Sequence, residues 1–227
     1  MANRPARAIN DTDRRRIFRT LETHARAGSM SAIRTLAIVQ LTADTGLRLS
    51  ELLRLDCSQI IEDTSATRPR IVSSFYLEPK QAKGRRGSAK AKAYTSAGQI
   101  QIPKRSRAAL LAYLRALRAR GWLRTWRGSP WITCKAGPTG GASSHHPVKQ
   151  RAVQLLWSEW QRRAGIRAPY RWHDLRHTAI TRWSRTPGAD VFSVAELARH
   201  RNVRTTQRYV HADPVRLAAI AEQASEL

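Results

Sequence analysis

Residues 171–178 read R-W-H-D-L-R-H-T, and residues 198–211 read A-R-H-R-N-V-R-T-T-Q-R-Y-V-H. The first stretch sets His173 and Arg176 three positions apart, so a helix places both on one face. The second sets His200 nine residues before Tyr209. Far upstream, residues 45–55, T-G-L-R-L-S-E-L-L-R-L, supply Arg48 and Glu51. Apolar residues around these three stretches recur mostly at helical spacing. The predicted fold is therefore mainly α with a small antiparallel β-sheet, an α+β arrangement.

Working outward, Asp11 or Thr12 can cap a first helix bearing Ile17, Phe18 and Leu21, with Gly28 as its stop. A second begins at Ser31, carries Ile33, Leu36, Ala37 and Leu41, and closes near Gly46. A short helix is expected over 50–55. Residues 70–78, R-I-V-S-S-F-Y-L-E, have strand composition, and Q-I-Q-I-P at 99–103 alternates as the returning strand. Between them, 79–98 is a basic hairpin tip. Ser106 is the expected cap of a helix carrying Leu110, Leu114 and Leu117, which Gly121 ends. Residues 135–147, rich in Gly and Ser, read as a loop. Val153, Trp157 and Trp160 mark one face of another helix, read as core. Helices over 173–183, 194–200, 204–209 and 214–226 complete the expectation. This divides the chain into a flexible basic lead at 1–10, a domain at 11–213, and a terminal helix at 214–227.

A chain of 227 residues can bury one good core, and 41% hydrophobic content with seven tryptophans fits a globular protein. Its net charge of +25 favours a polyanionic partner, since a compact chain holding that charge repels itself. Cys57 and Cys134 stand alone, which excludes a disulfide framework and a thiolate zinc site and fits a reducing compartment. There is neither a signal-peptide core nor a run of about 20 apolar residues. The expectation is a cytoplasmic, nucleoid-associated protein with no membrane partner.

Two arginines, two histidines and a tyrosine from separated segments suit attack on a phosphodiester. Guanidinium groups match two non-bridging oxygens and can neutralise the transition state without a metal ion. A tyrosine nucleophile conserves the bond energy in a phosphotyrosine, so rejoining needs no ATP. The chain carries no G-x-x-x-x-G-K-[ST] loop. No cofactor and no metal are expected. His173 and His177 share the i,i+4 spacing of zinc ligands, but Asp174 stands where a zinc protease has glutamate and a third ligand is not evident.

Taken together, these motifs resemble the catalytic domain of the tyrosine recombinases, which include phage integrases, Xer-type resolvases and fimbrial invertases. T-G-L-R-L-S-E at 45–51 looks like the first box, H-D-L-R-H-T at 173–178 the second, and residues 198–209 the third. The resemblance implies Arg48 and Arg176 as phosphate clamps, with Glu51 buttressing Arg48. It implies His173 as general base or proton shuttle, His200 as a phosphate donor and Tyr209 as nucleophile. The family also places a catalytic lysine in a β-hairpin. Lys83, in Q-A-K-G, best resembles that context, with Lys80 next. The implied activity is cleavage and rejoining of double-stranded DNA, by a homotetramer on paired sites, with accessory DNA-bending proteins.

Arg199 departs from the family's small residue before His200, as a repacked side chain or an added phosphate contact. Only 44 residues precede Thr45, which fits a single-domain form like the fimbrial invertases or a catalytic fragment; the starting Met1 favours the former. Alternatives stay open: type IB topoisomerase-like relaxation, or a DNA-binding protein without chemistry. Taken singly, Arg48 reads as a solvated helix-end charge, Tyr209 as packing, and Lys80 to Lys92 as a solvated loop. His145 and His146 read as surface residues. His211 either supports Tyr209 or faces solvent.

Overall fold

The computed structural model describes residues 7–63, 68–78, 97–123, 125, 127–135, 144–207 and 209. Among these the order is α1 (Asp11–Arg26), α2 (Met30–Thr45), α3 (Leu49–Leu52), α4 (Cys57–Ile60), β1 (Ser74–Leu77), β2 (Gly98–Gln101), α5 (Lys104–Ala119), β3 (Ile132–Lys135), β4 (Ser144–Pro147), α6 (Gln150–Arg163), α7 (Trp172–Ser184), α8 (Val191–Ala198) and α9 (Arg204–Gln207). No helix among the described residues is long and apolar enough to cross a membrane.

Helix α2 is the axis of the fold. It is apolar around most of its circumference, burying Ala37, Ile38, Val39 and Leu41, so it must be covered on several sides. The covers are α1, α5 and α7. Ser29 caps its start by accepting from the Ala32 amide. Gly46, at φ +62, ends it in the left-handed conformation that glycine adopts without Cβ strain. Helix α5 lays Leu110, Tyr113, Leu114 and Leu117 on the core, where Tyr113 stacks on Trp131 at 5.7 Å. The tryptophan pair Trp157 and Trp160 is core as expected, each 2% exposed.

The sheet is smaller and less continuous than the β-branched run suggests. β1 and β2 pair antiparallel with Phe75 opposite Ile100, and Ile71 makes only an isolated bridge to Ile61. A second antiparallel pair, β3 with β4, puts Lys135 and residues 144–147 in strands where a loop was expected. The strands are only four residues long, and the Gly- and Ser-rich sequence between them dominates the composition. Helix α4 was also missed, although Asp56 and Gln59 form a capping box there. Ser106 does not cap α5; Pro103 holds that position, and the buried Ser106 hydroxyl donates to Asp44 Oδ2 at 2.8 Å.

From residue 7 onward the supposed flexible lead is docked. The Arg7 amide donates to Asp174 Oδ1 at 3.3 Å, the Ile9 amide donates to Thr178 Oγ1 at 2.9 Å, and Ile9 is buried. Arg7 also lies over the Tyr170 ring at 4.3 Å. Residues 7–9 are thus fastened to α7, the helix that carries the histidine–arginine motif. The expected terminal helix over 214–226 lies outside the described residues.

Candidate active site

Arg48 stands at the N-cap of α3, where a capping box explains its position. Its amide donates to Glu51 Oε2 at 2.9 Å, and its Nη1 donates to Glu51 Oε1 at 2.6 Å. Glu51 is fully buried while the Arg48 side chain stays a quarter exposed, so the guanidinium is held from below and open above. Oε2 of Glu51 also accepts from Arg199 Nη2 at 2.8 Å. Burial works to raise the Glu51 carboxyl, but Arg199 and Arg48 outweigh it and hold it below the usual carboxylate range.

Arg199 is the C-cap of α8 and adopts φ +54, the left-handed region. That conformation accounts for the small residue expected before His200. A side chain there costs about 1 kcal/mol relative to glycine, and the buried charge-assisted bond to Glu51 offsets it. Of the two sequence readings of Arg199, the structure shows inward packing, with the side chain directed at Glu51 and its stem against Gly98 of β2.

Helix α7 starts with a second capping box, in which the Arg171 amide donates to Asp174 Oδ2 at 2.8 Å. Helical periodicity then puts His173, Arg176 and His177 on neighbouring positions of one face. The rings of His173 and His177 meet edge to face, 5.0 Å between centroids. His173 is exposed at the surface, yet loss of hydration beside the protein, followed by the neighbouring His177 and the Arg176 and Arg48 guanidiniums, lowers its pKa to about 4. It is a neutral imidazole at pH 7. Arg176 is 3% exposed and donates through Nη1 to the Gly46 carbonyl and through Nη2 to the Ala198 carbonyl. Those carbonyls close α2 and α8, where a cation is favoured by the helix dipole. Burial, then Arg48 and Arg199, lower the Arg176 pKa to about 9, so it remains charged at neutral pH.

His200 follows immediately after Arg199. Its Nδ1 bonds Thr206 Oγ1 at 2.9 Å, which fixes the ring beside α9. It lines a depression of about 600 Å³ between β2 and α8, together with Gln99, Glu196 and Arg201. Tyr209 packs against the small apolar cluster of Ile180, Val194 and Ala198. Its hydroxyl is hydrogen-bonded to His177 Nδ1, with the rings 5.4 Å apart. Arg176 senses the charge of Arg48, of Glu51 and of Tyr209, so phenol and guanidinium groups share one electrostatic site.

The fold therefore brings together Arg48, His173, Arg176 and Tyr209, with His200 on the loop that follows Ala198. Lys83 and its alternative Lys80 lie outside the described residues, as does His211. Sequence reading missed His177 as a partner of Tyr209. Its i,i+4 relation to His173 was visible, but was weighed only as a metal pair. Among the described residues no cluster of His, Cys, Asp and Glu is arranged to hold a metal ion.

The phage integrase family model matches residues 8–216. The chain belongs to the phage integrase family. It is 29% identical to the tyrosine recombinase XerC of Actinobacillus pleuropneumoniae serotype 7 (strain AP76), covering 86% of this chain and 52% of that protein. It is 30% identical to the tyrosine recombinase XerD of Rhizobium meliloti (strain 1021), covering 93% of this chain and 58% of that one. The chain thus spans about half the length of the curated relatives it matches. Among solved structures, the XerA recombinase superposes with a TM-score of 0.61 at 19% identity, covering 99% of this chain and 65% of its own. The Tn1549 transposon integrase, in complex with transposon right end DNA, gives 0.66 at 14%, covering 99% and 68%. These likenesses establish the tyrosine recombinase catalytic-domain fold.

Proposed function

We propose that this chain is the catalytic domain of a site-specific tyrosine recombinase, cleaving and rejoining double-stranded DNA through a 3′-phosphotyrosine. The observation that carries the reading is the Tyr209 hydroxyl, held in the electrostatic field of Arg176 beside the histidines of α7. Tyr209 Oη attacks the phosphorus, the bond to the 5′-oxygen breaks, and that oxygen leaves with a proton. Lys83 is the proposed donor of that proton. Arg48 is the exposed clamp on the phosphate and Arg176 the buried one. Two of the five N–H donors of Arg176 are taken by helix-end carbonyls, so the rest serve the phosphate. Neutral His173 offers a ring nitrogen to the non-bridging oxygens and to proton traffic, and His200 a hydrogen bond to the phosphate.

The relatives named XerC and XerD support this assignment, as does the DNA-bound Tn1549 integrase. The net charge of +25 supports a nucleic-acid partner. We further place the chain in the cytoplasm with the nucleoid, acting as a homotetramer on paired sites with accessory DNA-bending proteins.

The test is incubation with nicked suicide duplexes of random sequence, followed by denaturing recovery of protein-linked DNA. An adduct that disappears in Tyr209→Phe is expected, with binding that weakens steeply as salt rises. A chain that binds but never forms an adduct is a DNA-binding protein. Relaxation of any supercoiled plasmid without recombinants would make it a topoisomerase.

A further inference from the structure

The family resemblance implies His173 as general base or proton shuttle, but the phenolic hydroxyl meets a different ring. Tyr209 is bonded to Nδ1 of His177, one helical turn beyond His173. In the Nε2–H tautomer, Nδ1 carries the lone pair and the tyrosine O–H donates to it. The two partners are held independently. His177 is fixed on the mid-section of α7, while the tyrosine ring is seated by Ile180, Val194 and Ala198. The bond is thus imposed by two packed elements and does not rely on two mobile side chains finding each other.

We propose that His177 is the general base that takes the proton from Tyr209 as its oxygen attacks phosphorus. The inference rests on the reading of Tyr209 as nucleophile. The phenolic O–H bond breaks, its proton moves to His177 Nδ1, the Tyr209 Oη–P bond forms, and the P–O5′ bond breaks with protonation of the leaving oxygen by a separate donor. On rejoining, the imidazolium returns the proton to the departing phenol oxygen. An unassisted phenol has a pKa near ~10 and an imidazole near ~6.5, so complete transfer before attack is unfavourable. Transfer during attack is not, because the developing phenoxide charge passes to phosphorus. Arg176 assists on the same side: the phenoxide raises the Arg176 pKa, and by reciprocity the guanidinium favours the phenoxide.

Around the pair, His173 faces His177 from the same helix and Tyr209 from the segment after α9, Arg176 shares its field with Tyr209, and Arg48 acts on both His173 and Arg176. His173, with its pKa lowered to about 4, stays neutral, so it does not repel an imidazolium forming on His177 at neutral pH. This divides labour between the two histidines of the motif. His177 serves the nucleophile, and His173 remains for the phosphate.

The experiment uses the duplexes recovered from wild-type covalent complexes, resynthesised as suicide substrates, and measures single-turnover adduct formation. His177→Ala should slow it by about a hundredfold or more with unchanged DNA affinity, and added imidazole should restore rate in proportion to its neutral form. His177→Gln, which keeps a polar side chain without basicity, should stay slow and lose the rising limb of the pH profile. Replacing the 5′-bridging oxygen with sulfur, a leaving atom that needs no proton, should not rescue either variant. Wild-type rate and pH profile in His177→Gln would overturn the proposal, and so would full rescue by the sulfur substrate. If Tyr209→Phe still forms adducts, the nucleophile assignment fails instead. A DNA-free reading is also available: Tyr209→Phe should shift the His177 Nδ1 resonance in nitrogen NMR of the full chain, and an unmoved resonance contradicts the contact.

Discussion

Arg199 Nη2 and Glu51 Oε2 are joined at 2.8 Å across 148 positions of sequence, both side chains within 2% of complete burial. The same carboxylate seats Arg48, so one buried acid ties the loop before α3 to the end of α8. Arg199 thereby supports the carboxylate that seats Arg48, the proposed phosphate clamp.

Removing that support should cost stability. Arg199→Ala leaves buried Glu51 with Arg48 as its remaining cation, and should lose about 3 kcal/mol in urea unfolding. Arg199→Gly should lose about 1 kcal/mol less, because glycine relieves the left-handed backbone. If Arg199→Ala matches wild type, the bridge contributes nothing to folding.

The two arginines proposed as clamps should separate experimentally. Arg48→Ala removes a partly exposed group, so cleavage should fall about 10²–10³-fold with folding and DNA affinity nearly intact. Arg176→Ala deletes bonds to two helix-end carbonyls in the interior, and should also unfold at markedly lower urea. Equal stability of the two variants would contradict the structural role of Arg176.

Gly46 is constrained twice over. A Cβ there would sit 2.9 Å from Trp183 Cη2, and the φ of +62 disfavours any side chain. Gly46→Ala should lose about 2–3 kcal/mol, part backbone and part overpacking. Adding Trp183→Leu should recover the steric part alone. A double variant no better than Gly46→Ala would show that Trp183 is not the obstacle.

The pH response of His173 has a defined sign. In the unfolded chain it takes a proton near 6.5, and in the folded chain only near 4, chiefly through loss of hydration beside the protein. Between those values the unfolded state binds more protons, so stability falls as pH drops from about 6.5 towards 4. An NMR titration should give a midpoint near 4 that rises in Arg48→Gln. A midpoint at the ordinary imidazole value would remove the basis for a neutral His173.

Much of this architecture was legible because helix signals are local. Gly46, Gly121 and Gly165 stop helices where a positive φ is needed, and each does so here. The site residues were legible because Arg48, Arg176 and Tyr209 sit in three ordered boxes. What escaped depends on partners far away in sequence. Nothing near residue 199 announces Glu51, and nothing near His177 announces Tyr209, 32 positions later. The β3–β4 hairpin escaped because short strands owe their pairing to each other more than to composition. Ser106 had the right chemistry for a cap, but burial against Asp44 claimed its hydroxyl.

The guanidinium of Arg176 spans the ends of α2 and α8, which lie on opposite sides of it along the chain. During synthesis the first of those ends emerges long before the second. A polypeptide still missing α8 and the residues after it has Arg48 but neither a seated Arg176 nor Tyr209, so the site assembles only once the segment through residue 209 has been made.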